Sequence, residues 1–75
     1  MDSMCRYLFV PDLCNFEQSF DVFASNADDA AKIAYELMCC DCDLSVFGFN
    51  RFGLVFIGCV SFRENEEPTW LAVRR

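Results

Sequence analysis

Between Ala24 and Ala27 the hydrophobic period of this chain changes from two to about 3.6, and that change limits its architecture more than any other feature. Upstream, Phe20, Val22 and Ala24 fall on one face of an extended segment, with Ser19, Asp21 and Phe23 on the other. Downstream, Ala27, Ala30, Ala31, Ala34, Leu37 and Met38 gather on one side of a helix, opposite Asp28, Asp29, Lys32 and Glu36. Ser25 or Asn26 is placed to cap that helix, and Asp28 or Asp29 follows where a carboxylate favours the positive helix start. The sequence predicts a helix from about Ala27 to Cys40. Its alanine stripe lets the axis lie close to a sheet.

The flanking segments supply the sheet. Cys5 to Val10 reads as a strand closed by Pro11, which has no backbone donor. A loop from Asp12 to Asn15 leads to a second strand, Phe16 to Ala24, expected to form a hairpin with the first. After Asp41 to Asp43 come Leu44 to Phe49, a turn at Asn50 to Gly53, and Leu54 to Arg63. A polar turn, Glu64 to Pro68, precedes a last strand, Thr69 to Val73. The expected fold is α+β: a single domain over residues 1–75, one helix on a four- to five-stranded antiparallel sheet, order ββαβββ. One helix covers one face, yet the fourth strand is apolar on both: Leu54, Phe56, Val60 and Phe62 on one, Val55, Ile57 and Cys59 on the other. Either the sheet curls around the helix or its second face meets another chain.

Seventy-five residues lie near the lower limit for an unstapled apolar core, and nine phenylalanines are more than one small core needs. Some apolar surface is therefore expected to serve a partner or a second copy. The run Leu8 to Val10 is too short for a signal peptide, and Leu54 to Val60 is far below the roughly 20 residues that span a bilayer. These features predict a cytoplasmic protein away from membranes, in which Cys5, Cys14, Cys39, Cys40, Cys42 and Cys59 are reduced thiols.

Charge is unevenly distributed. From Asp12 to Asp43 eight acids face one base, Lys32, a net of −7, whereas the whole chain carries −6. Such a block repels nucleic acid and anionic membrane and attracts basic surfaces, including those that hold nucleic acid. Asp21, Asp28, Asp29, Glu36, Asp41 and Asp43 are the candidate partner-binding residues, because a helical rise of about 5.4 Å per turn approaches the spacing of phosphates along a strand. The competing reading is that the acids only keep a small domain soluble.

No pattern names a reaction. The chain has no histidine to serve as base for Ser or Cys, and Cys39 and Cys40 fall at the negative end of the expected helix. Cys39, Cys40 and Cys42 lack the paired C-x2-C spacing of structural zinc, so packing thiols are the simpler reading and a thiol or metal module the alternative. Asp41, Asp43 and Ser45 begin an EF-hand pattern, but Val46 and Phe52 stand where its Gly and Glu belong. The expectation is a protein that is not an enzyme and has no cofactor or metal.

The phrase from Phe20 to Ala34 runs from a strand through Ala-Ser into an alanine-striped helix, with three strands and a Trp to follow. In this it resembles small phage-encoded proteins, among them anti-CRISPR proteins that inhibit type I surveillance complexes. The resemblance implies a non-enzymatic inhibitor that occupies a basic, nucleic-acid-binding surface of a host defence complex in the host cytoplasm; the acidic row makes nucleic-acid mimicry the expected mode. The alternative is an oligomeric structural or regulatory protein, such as a homodimer, acting through an aromatic sheet face.

Overall fold

The alanine stripe packs as its spacing predicts. In the computed structural model, which describes residues 4–11, 18–38 and 41–73, Ala30, Ala31 and Ala34 are fully buried against the sheet. The helix, α1 (Ala27–Met38), follows β1 (Cys5–Pro11) and β2 (Phe20–Ala24) and precedes β3 (Cys42–Asn50), β4 (Gly53–Phe62) and β5 (Thr69–Val73). The fold is α+β, with a single helix and one five-stranded antiparallel sheet of spatial order β2-β1-β3-β4-β5.

Asn26 opens the helix. Its Oδ1 accepts the Asp29 N–H at 2.8 Å, and its carbonyl accepts the Ala30 N–H at 3.0 Å, which satisfies two groups of the first turn. The core between helix and sheet holds Phe9, Val22, Ala24, Leu44, Val46, Val60 and Phe62. Phe9 stacks on Phe20 with centroids 5.7 Å apart.

Several boundaries and faces differ from the sequence expectation. The second strand begins at Phe20; Phe16 and Glu17 lie outside the described residues, as do the Asp12 to Asn15 loop and Cys39 and Cys40. Leu37, expected on the buried stripe, is 65 % exposed. The stripe is rotated instead toward Tyr35, whose ring meets Phe62 edge-on at 5.3 Å and whose hydroxyl donates to the Arg63 carbonyl at 2.6 Å.

The fourth strand does not keep one alternation. Val46 pairs with Gly58 but Phe47 pairs with Phe56, so Ile57 is an extra residue. This bulge exchanges the faces: Ile57 joins Val60 and Phe62 on the helix side, while Leu54 and Phe56 turn to the other side with Cys59. A period-two reading cannot see it. Phe23, Phe49 and Leu54 remain exposed on the helix-free face.

Candidate functional site

The two sides of the sheet differ in how their charges are balanced. On the helix-free face Arg6 Nη2 donates to Asp21 Oδ2 at 2.8 Å, with its guanidinium 4.3 Å from the Phe49 ring centroid. Asp43, which pairs across strands with Ser61, has its Oδ1 shielded from solvent and 3.2 Å from Arg63 Nη2. Asp21 and Asp43 are therefore both ion-paired. Between them lie Leu8, Phe47 and Phe56, half-buried, with Phe47 and Phe56 in an edge contact at 5.6 Å.

The helix side is different. Asp28, Asp29 and Glu36 are exposed on α1 with Lys32 between them. The turn between β4 and β5 runs alongside the helix, held near one end by the Tyr35 hydroxyl on the Arg63 carbonyl and near the other by Trp70 Nε1, which donates to Asp28 Oδ1 at 2.8 Å. This brings Glu67 into the neighbourhood of Asp28. Glu67, Asp28, Lys32 and Trp70 line one shallow recess. Asp41, at the start of β3, accepts the Glu64 N–H at 2.7 Å and so fixes the same turn.

The six acids singled out in the sequence thus do not form one row. Asp28, Asp29 and Glu36 stand on the helix and Asp41 beside the turn between β4 and β5; Asp21 and Asp43 belong to the opposite face, each beside an arginine. Glu67, which the sequence presents only as part of a polar turn, joins the helix acids across the recess. Its placement depends on a contact between residues 42 positions apart, and local periodicity carries no sign of that.

Comparison with protein-family models, curated proteins and solved structures gives no match for this chain. Among the described residues no three His, Cys, Asp or Glu side chains come together as metal ligands, and Cys5, Cys42 and Cys59 are not disulfide-bonded. No described helix is long and apolar enough to cross a membrane. What the described residues offer chemically is a group of exposed carboxylates, Asp28, Asp29 and Glu67, around one base, Lys32, whose fields add where they lie within the screening length of about 8 Å.

Proposed function

We propose that this chain is a non-enzymatic binding protein that presents its helix side to a basic surface of another protein. The observation that carries this reading is the segregation of charge. Pairing with Arg6 and Arg63 balances Asp21 and Asp43, whereas Asp28, Asp29 and Glu67 gather around Lys32, with Asp41, Glu64 and Glu66 in or beside the turn between β4 and β5. A field of that sign steers a basic partner onto one side of the molecule and raises its association rate.

A basic surface of this kind is commonly one that holds a nucleic-acid backbone. Asp28 and Glu36, eight residues apart, are separated by about 12 Å along the helix axis. Together with Glu67 across the recess they offer carboxylates to a groove built for phosphates. With the resemblance to small phage inhibitors, this supports inhibition of a host defence complex, of the type I CRISPR kind, by occupation of its nucleic-acid site.

Phage plating on cells that carry such a complex directed at the phage tests the proposal. Expression of the wild-type chain restores plating, and Asp29→Asn, Glu36→Gln and Glu67→Gln combined abolish the restoration at equal protein level. Failure of the wild type to restore plating removes the CRISPR target. Full activity in the triple variant removes the acidic side as the recognition surface.

A further inference from the structure

We propose that the helix-free face of the sheet binds a second copy of this chain, in a two-fold dimer packed sheet to sheet. The face is the right kind of surface. Phe23, Phe49 and Leu54 are 57 %, 40 % and 49 % exposed there, around half-buried Leu8, Phe47 and Phe56. At 150–250 Å² per aromatic side chain, these leave on the order of 400 Å² of apolar area in water, with Arg6 standing between Phe23 and Phe49.

Its size suits a dimer. Five strands spaced about 4.8 Å apart give a sheet about 20 Å wide, and β3 and β4 run for nine and ten residues. Two such faces together bury on the order of 1,000 Å², the lower bound for a specific interface. Two sheets with apolar faces pack at about 10 Å.

Charge selects the occupant. The chain carries −6, yet among the described residues this face holds Arg6 beside Asp21 and Arg63 beside Asp43, so their charges balance. A strongly basic partner gains nothing here, and nucleic acid meets arginines already neutralised on a molecule of its own sign. A second copy brings a face whose described charges are paired in the same way. The helix-side acids of the two copies then face outward, separated by both sheets, a distance well beyond the screening length of about 8 Å.

Dimerisation also answers the size of the chain, because a core this small gains from apolar burial between copies. The inference is independent of the function proposed above, although a dimer would display two acidic sides at once.

Sedimentation velocity on the full chain, with a reductant to keep Cys5 from cross-linking, decides it. The wild type is expected to sediment as a dimer at micromolar concentration, and to remain so at about 1 M NaCl, where exposed charges are screened within about 3 Å. Phe49→Asp with Leu54→Asp should weaken self-association by about 100-fold, as for a central interface position, and Phe49→Ala alone should weaken it measurably. Because both side chains are exposed, the far-UV circular dichroism of the variants should match the wild type. A wild-type monomer up to hundreds of micromolar, or a dimer whose dissociation constant neither variant changes, overturns the proposal. Full plating restoration by the acidic triple variant, with the dimer intact, would count against the acidic-side reading alone.

Discussion

Trp70 donates its indole N–H to Asp28 Oδ1 at 2.8 Å, and this bond joins the edge strand β5 to the first turn of the helix. It explains how a carboxylate at the positive helix end also positions the turn that carries Glu67. Trp70→Phe keeps most of the ring and removes the donor. Unfolding in urea, followed by circular dichroism because Trp70 is the chain's one tryptophan, should show a loss of about 1 kcal/mol. An unchanged midpoint would mean that the exposed bond exchanges with water at no net cost.

The helix is set by its cap and its alanines. Ala34 is fully buried, and Ala34→Leu should overpack the interface with the sheet at a cost of about 1 to 3 kcal/mol. Asn26→Ala, which removes the acceptor of the Asp29 N–H, should cost about 1 kcal/mol. The two sites are measured by the same denaturant titration. Equal stability of Ala34→Leu and wild type would place the stripe elsewhere.

Two glycines separate space from backbone strain. Gly53 has φ of 119° with open room around it, so Gly53→Ala is strained whatever its surroundings and should lose on the order of 1 kcal/mol or more. At Gly48 an added Cβ would lie 3.0 Å from Ile57 Cδ1, the end of a flexible side chain that can give way. Gly48→Ala should therefore cost less than Gly53→Ala. The reverse order in melting temperature would show that the Ile57 bulge is rigid.

These positions also mark what the sequence made legible. The change of period after Ala24, the Asn26 cap and the alanine spacing announced α1, and Gly53 announced the β3–β4 turn. The sheet content and the ββαβββ order followed from alternation. The bulge at Ile57 did not, because one extra residue reverses every later face without altering local composition. For the candidate site, the excess of acid was plain but its placement was not. Asp21 and Asp43 looked like members of a row until Arg6 and Arg63, from other strands or turns, were found beside them.

Tyr7 gives the fold an alkaline limit. Burial raises its phenol above the usual 10.0, and negative charge on Cys5, with a hydrogen bond to it, adds to the shift. The folded chain holds this proton more tightly than the unfolded chain. Its contribution to stability is therefore complete below about pH 10 and falls as pH rises through the raised value. In a Tyr35→Phe background, ultraviolet titration should place the remaining tyrosine above 10.0, and Cys5→Ser should bring it part of the way back. A Tyr7 that titrates at its ordinary value would contradict this partial burial and the contact with Cys5.

The charge segregation predicts how binding responds to salt. If the helix side steers a basic partner, affinity should fall as ionic strength rises, and the change should appear mainly in the association rate. Asp29→Asn, Glu36→Gln and Glu67→Gln together should slow association by about 10-fold or more at low salt, with a smaller change in dissociation. The fold should survive: Glu36→Gln and Glu67→Gln are exposed changes that usually cost no more than about 0.5 kcal/mol. Asp29→Asn, in the capping turn where its carboxylate accepts from Asn26 Nδ2, should cost somewhat more. Asp21→Asn is the control: that acid is already paired with Arg6 on the other face, so its loss should leave the association rate unchanged. Stopped-flow or surface-based kinetics across a salt series checks both expectations. Equal slowing by Asp21→Asn and the triple variant would mean that total charge, and not its placement on the helix side, governs recognition.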